Sequence, residues 1–211
     1  MIDLSAIQYR QYNERDLEHP ALIEFIVSHS DIKTVLDVGA HYSWYEYAQE
    51  VKTLIPNYDG VDILPDPKTE AIIDKYWQKN VLDMDGKYDL VFSISSIEHS
   101  GISTYKSDNY RAERMRVFKK IVDLSKKYIF ITFPYGKEAL HEGEFANVTK
   151  EDLTNFINMV HPGKYEYHFY FSESPFVDHI PYTEVDLEFA SNVEYKRELG
   201  TRCVCFLSIE L

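Results

Sequence analysis

The stretch Thr34-Val-Leu-Asp-Val-Gly-Ala-His-Tyr-Ser43 constrains the fold more than any other part of this chain. Val35, Leu36 and Val38 read as a buried strand, with Asp37 near its carboxyl end. Gly39 then marks a position where the backbone must turn sharply or approach a ligand closely. Nucleotide-binding loops usually repeat glycine here, whereas this chain continues with Ala40, His41 and Ser43. From Ser43 to Ile55, residues Trp44, Tyr47, Ala48, Val51 and Ile55 share one side, which predicts a helix and completes a strand–turn–helix unit.

The rest of the chain repeats that alternation. Leu22, Ile23, Ile26 and Val27 predict a lead-in helix from Pro20 to about Ser30, with Pro20 at its first position. Tyr58 to Leu64 reads as a second strand with Asp62 near its end, stopped by Pro65-Asp-Pro67. Residues 68–78 predict a helix ending near Trp77, and Asn80 to Met84 a short third strand or its edge. Tyr88 to Ser95 is a clear buried strand, and Ser96-Ile-Glu-His-Ser-Gly101 is the loop at its carboxyl end. A helical face from Asn109 to Lys127 leads directly into the strand Tyr128 to Phe133, which Pro134-Tyr-Gly136 ends. Thr149 and Asp152 form a capping box ahead of a stripe of Leu153, Phe156, Ile157 and Val160, and His161-Pro-Gly163 stops that helix. Tyr165–Phe171 and Arg202–Ile209 are terminal strands without a periodic helix between them, so they can pair antiparallel. The expected architecture is an α/β three-layer sandwich: one domain with a mainly parallel sheet, an antiparallel last strand and an insertion near 172–201.

With 22 Lys and Arg against 35 Asp and Glu, the formal charge of −13 disfavours nucleic acid and anionic membrane surfaces as partners. Lys119, Lys120, Lys126 and Lys127 fit the solvated face of a helix. No apolar run approaches the length of a membrane span, and no secretory signal is evident, so a soluble cytoplasmic protein is expected. The two cysteines, Cys203 and Cys205, would share one face of a strand and suit a reduced core.

The ordered set Val-Leu-Asp-Val-Gly (35–39), Gly-Val-Asp (60–62), Val-Leu-Asp (81–83), Tyr-Asp-Leu-Val-Phe-Ser (88–93), Ile-Glu-His (97–99) and Ile-Thr-Phe-Pro-Tyr-Gly-Lys (131–137) resembles class I S-adenosylmethionine-dependent methyltransferases. The resemblance implies a Rossmann-like, seven-stranded sheet with its last strand antiparallel, and S-adenosylmethionine as cofactor. It puts Asp37, Gly39 and the altered position His41 beside the amino-acid part of the cofactor and Asp62 on the ribose hydroxyls. Asp83 would approach the adenine edge, and Ser95 or Ser96 would lie where cofactor meets substrate. Histidine is among the residues that tolerate left-handed backbone, so a turn through His41 can survive the lost glycine. The Ser-Ser-Ile-Glu-His-Ser-Gly and Phe-Pro-Tyr-Gly-Lys blocks also look like enzymes that modify surface glycans or sugars.

Methyl transfer to a hydroxyl benefits from a base, and histidine's ordinary pKa of about 6.5 makes His99 the leading residue, with Glu98 to orient it. Both residues also have a plain reading as caps of the loop. Tyr105, Tyr135, Lys137 and His141 follow strands where substrate contacts collect, and Lys137 would suit an anionic sugar nucleotide. In the 172–201 insertion, Phe176, Asp178, His179 and Tyr182 could cover the pocket or meet a second subunit, and Asp178 with His179 form a weak metal-ligand pair. Two other readings stay open: an NAD-dependent oxidoreductase or epimerase, which would also use Asp62, and a catalytically silent binding protein with the same fold. The expected substrate is a small molecule or sugar derivative.

Overall fold

The computed structural model describes residues 13–41, 45–102, 109–141, 145–161, 163–175, 178 and 180–211. The helices are α1 (Arg15–Ser28), α2 (Tyr45–Leu54), α3 (Pro67–Glu70), α4 (Tyr110–Leu124), α5 (Lys150–Val160) and α6 (Leu187–Ala190). The strands are β1 (Thr34–Val38), β2 (Asn57–Asp62), β3 (Lys75–Gln78), β4 (Tyr88–Ile94), β5 (Ser125–Pro134), β6 (Leu140–His141), β7 (Phe145–Ala146), β8 (Lys164–Phe171), β9 (Thr183–Val185) and β10 (Cys203–Glu210). Eight of these strands form one sheet in the order β3-β2-β1-β4-β5-β10-β8-β9. The first five are parallel neighbours, and β10 inserts antiparallel between β5 and β8. This is the expected sheet with one addition: β9, from the 172–201 segment, pairs antiparallel with β8 at the edge.

Period-two alternation divides the strand side chains between two cores. Leu36, Val38, Val91, Ile129, Ile131, Phe133, Cys205 and Leu207 face α4, α5 and α6, while Val35, Leu90, Phe92, Phe130, Val204 and Phe206 face α1 and α2. Cys203 and Cys205 lie on the first of these faces as buried free thiols. Among the described residues no helix is long and apolar enough to cross a membrane.

Three expectations need correction. Pro20 lies inside α1 rather than at its first position, because Leu17 and Glu18 upstream are already packed into the fold and extend the helix. Residues 68–78 do not form one helix: Asp66 caps a single turn through Glu70, and Lys75–Gln78 with its Tyr76 and Trp77 pairs with β2 as the edge strand. Asn80–Met84 is accordingly not the third strand. The Asn80 side chain accepts a bond from the Leu82 amide and winds Val81–Asp83 into a 3₁₀ turn.

The capping box is present, and one of its members has a second role. Thr149 and Asp152 satisfy each other's backbone amides at the start of α5. The same Asp152 carboxylate accepts a 3.0 Å bond from Arg114, which is fully buried on α4. Arg114 also donates to the Ala146 and Asn147 carbonyls at 2.7 and 3.1 Å, fixing the β6–β7 hairpin against α4 and α5. Replacing Arg114 with Met strands a buried carboxylate and two carbonyls, and should cost about 3 kcal/mol or more in urea unfolding. The same change at exposed Lys119, paired with exposed Asp123, should leave the unfolding midpoint where it was.

Candidate functional site

A cavity of about 340 Å³ opens at the carboxyl ends of β1, β2 and β4, where ligands collect in an open parallel sheet. The β1–α2 turn supplies Gly39 and His41, the end of β2 supplies Asp62, Ile63 and Leu64, and the 3₁₀ turn after β3 supplies Val81 and Leu82. Ser95, Ser96, Ile97 and His99 enter from the end of β4, and Arg15 and His19 from α1.

Gly39 is required twice over. Its φ of 87° is left-handed, and a Cβ there would lie 1.9 Å from the Ser96 hydroxyl oxygen. The group that crowds Gly39 is the β4 loop of the protein itself. The turn is stitched to β2: the Gly39 and Ala40 amides both donate to the Val61 carbonyl, at 2.9 and 3.3 Å. The His41 amide donates to Asp62 Oδ2 at 3.2 Å, and the Leu64 amide donates to Asp62 Oδ1 at 2.9 Å. Among the described non-glycine residues only Ser95 has a positive φ, so His41 does not take the left-handed geometry its tolerance would have allowed. The turn keeps its one glycine where glycine is needed, and the histidine costs it nothing in backbone strain.

Ser95, with φ of 39°, is held from three sides. Its amide donates to Thr132 on β5 at 3.1 Å, its hydroxyl donates to Glu18, and its carbonyl accepts from Arg15 at 3.4 Å. Arg15 also donates to Glu18 at 2.9 Å and to the Ile94 carbonyl at 3.0 Å. An unfavourable backbone conformation persists only where surrounding bonds over-determine it. Here they rotate the chain so that Ser96 packs on Gly39 and Ile97–His99 forms a 3₁₀ turn over the pocket.

Burial and the Arg15 charge lower His19 to about 3, so its ring is neutral; it stacks on Tyr47 at 4.1 Å between centroids. Asp37 is buried and accepts a 3.0 Å bond from the Tyr58 hydroxyl, whose pKa is pushed up by burial and by that carboxylate. Sequence periodicity shows none of the α1 contributions. Arg15, Glu18 and His19 reach the site across separations of up to about 80 residues, and all three lie upstream of Pro20, where the lead-in helix was expected to start.

The structure brings Asp37, Gly39, His41, Asp62, Ser95, Ser96 and His99 to one cavity. It does not bring Asp83, which is exposed on the 3₁₀ turn while Val81 and Leu82 face the pocket. Glu98 is buried behind the rim, its Oε1 3.7 Å from His99 Nε2, its Oε2 without a hydrogen-bond partner, and its pKa raised by burial. Tyr135 is core, bonded to Ser191, and Lys137 pairs with Glu194 at 2.8 Å. The backbone of His141 lies in β6. Tyr182 is buried and donates to the Thr201 carbonyl, and Asp178 is exposed. Tyr42, Ser43, Trp44, Tyr105, Phe176 and His179 lie outside the described residues.

Solved methyltransferases share this architecture. Magnesium protoporphyrin IX methyltransferase (ChlM) from Synechocystis with bound SAM is 10% identical, with a TM-score of 0.54 over 100% of this chain and 86% of that one. The N-methyltransferase NodS from Bradyrhizobium japonicum in complex with S-adenosyl-l-homocysteine is 9% identical, with a TM-score of 0.56 over 91% and 85%. The Burkholderia thailandensis 1,6-didemethyltoxoflavin-N1-methyltransferase is 12% identical, with a TM-score of 0.56 over 92% and 78%. No family model matches the chain, and neither does any curated protein. The fold is thus the Rossmann-like fold of class I S-adenosylmethionine-dependent methyltransferases.

Two predictions follow from the site's construction. Gly39→Ala should destabilise the protein by about 2 kcal/mol or more through left-handed strain and the clash with Ser96. Adding Ser96→Gly should recover only the clash, read as a partial return of the urea midpoint. The second concerns Glu14, just before α1, whose carboxyl is pushed up from 4.5 to about 7 by burial and then by the Glu18 charge. A carboxyl raised on folding adds stability below its unfolded pKa and loses it as pH rises through the folded value. Glu14→Gln should therefore raise Tm at about pH 8 and leave it nearly unchanged at about pH 4.

Proposed function

We propose that this protein transfers a methyl group from S-adenosylmethionine to a hydroxyl of a small-molecule acceptor. The observation that carries this reading is the state of Asp62. Each carboxylate oxygen accepts one backbone amide, from His41 and Leu64, which leaves a lone pair on each for the paired hydroxyls of a ribose. Ile63, Leu64, Val81 and Leu82 give apolar walls for a base beside it. The Gly39, Ala40 and His41 amides are all committed to β2, so the turn does not hold the cofactor's carboxylate through them. Arg15 takes that role from α1, because a guanidinium has more donors than its bonds to Glu18, Ile94 and Ser95 use.

When bound, the cofactor supplies an electrophilic methyl group on a sulfonium centre. The protein's own task is to hold the acceptor in line and receive its proton. His99, exposed at the rim, accepts the hydroxyl proton, and the Glu98 carboxylate behind it steadies the imidazolium that forms. The acceptor class includes sugar derivatives, as the resemblance of the 95–101 and 133–137 blocks implies. The structural neighbours act on small molecules of varied kind, as their names state.

Isothermal titration with S-adenosylhomocysteine and NAD in parallel tests the cofactor. The demethylated product should bind and NAD should not; selective NAD binding overturns the reading. Asp62→Ala should weaken S-adenosylhomocysteine by roughly tenfold or more, the range for a lost charged hydrogen bond of about 1–3 kcal/mol. His99→Ala should lower kcat while leaving that affinity intact, and an unchanged rate removes His99 as the base.

A further inference from the structure

The outer edge of β8 is covered along only part of its length. β9 pairs with Phe169, Tyr170 and Phe171, and among the described residues no strand lies against Lys164–His168 on that side. Lys164, Tyr165 and Glu166 are exposed, Tyr165 by 46%. The direction of the backbone groups follows from the bonds that frame β10. The Ser172 amide donates to the Arg202 carbonyl, and the Tyr135 amide donates to the Cys203 carbonyl. Bonded pairs alternate along an antiparallel ladder, so the even-numbered residues of β8 turn their amides and carbonyls to β10. Those of Tyr165 and Tyr167 point outward, away from β10.

Such a row of open donors and acceptors is a template for another strand, and edges are commonly protected by charges that repel one. Here the two charges have opposite signs, and Lys164 and Glu166, two residues apart, share one face of the strand. Pairing two copies of this edge antiparallel about a two-fold axis at Tyr165 would set each Lys164 opposite the second copy's Glu166. Lys164 already lies 3.3 Å from Glu210 of its own chain, so its ammonium would sit between two carboxylates. The two Tyr165 residues would exchange a pair of backbone bonds, and each Tyr167 would lie across from Gly163, which has no side chain to crowd its ring. On that face Tyr165 and Tyr167 stack at 6.3 Å and 13°, and the axis would double the row.

Other registers fit worse. An axis at Lys164 or at Glu166 opposes like charges directly. An axis at Tyr167 would bring the second copy's Tyr165 to Phe169, where Val185 of β9 already pairs.

We propose that this protein forms a two-fold dimer through the Lys164–His168 edge, joining two eight-stranded sheets into one. The inference does not depend on the methyltransferase reading.

Sedimentation equilibrium of the full chain at about 100 μM tests it, a concentration that reveals dissociation constants down the scale from there. The unaltered protein should have the mass of a dimer. Tyr165→Pro removes an amide that β10 does not use, so the chain should keep its own sheet and its circular dichroism spectrum while becoming a monomer. Lys164→Glu should also be a monomer, and adding Glu166→Lys should restore the dimer by exchanging the two charges. A monomeric parent overturns the proposal, as does a dimer that persists in Tyr165→Pro or in Lys164→Glu. A charge-exchanged double variant that stays monomeric overturns the pairing about Tyr165.

Discussion

The left-handed turn at Ser95 is the constraint on which the pocket depends. A non-glycine residue at φ of 39° is unfavourable in isolation, and it persists here because α1, β4 and β5 converge on it. Its hydroxyl donates to Glu18, its carbonyl accepts from Arg15, and its amide donates to Thr132. With that turn fixed, Ser96 lies against Gly39 and His99 stands on the rim. The loops of two neighbouring strands therefore form one wall, and a helix that precedes the sheet in sequence becomes part of the site.

Much of the scaffold was legible because burial writes itself into apolar runs. Tyr88–Ile94 and Cys203–Glu210 are buried through most of their length and were readable as strands, and the Thr149–Asp152 capping box announced α5. The region 68–84 was not, since a four-residue helix, an exposed edge strand and a 3₁₀ turn each fall below the length at which periodicity speaks. There the decisive groups were the Asp66 and Asn80 side chains, which bond locally. In the site, Gly39 and Asp62 were readable from their positions at strand ends, and the structure gathers them in one cavity. Arg15, Glu18 and His19 were not, because nothing in a helix's own spacing says which strand its polar face will meet.

His41 illustrates how a missing glycine can mislead. The substitution looked like damage to the loop, but the left-handed step belongs to Gly39, and His41 instead gives its amide to Asp62. The same Asp62 accepts the Leu64 amide, so one carboxylate organises the turn after β1 and the chain after β2 while retaining capacity for a diol. Two ends of the site thus differ in character. The cofactor end is built around carboxylates and one arginine, and the other end is marked by His99 on the rim.

The most direct measurement is a crystal structure with S-adenosylhomocysteine bound. The account predicts the ribose hydroxyls within hydrogen-bonding distance of Asp62, the amino-acid carboxylate at Arg15, and the thioether sulfur facing His99. A nucleoside seated elsewhere, or a ribose that leaves Asp62 bonded only to the His41 and Leu64 amides, would contradict it.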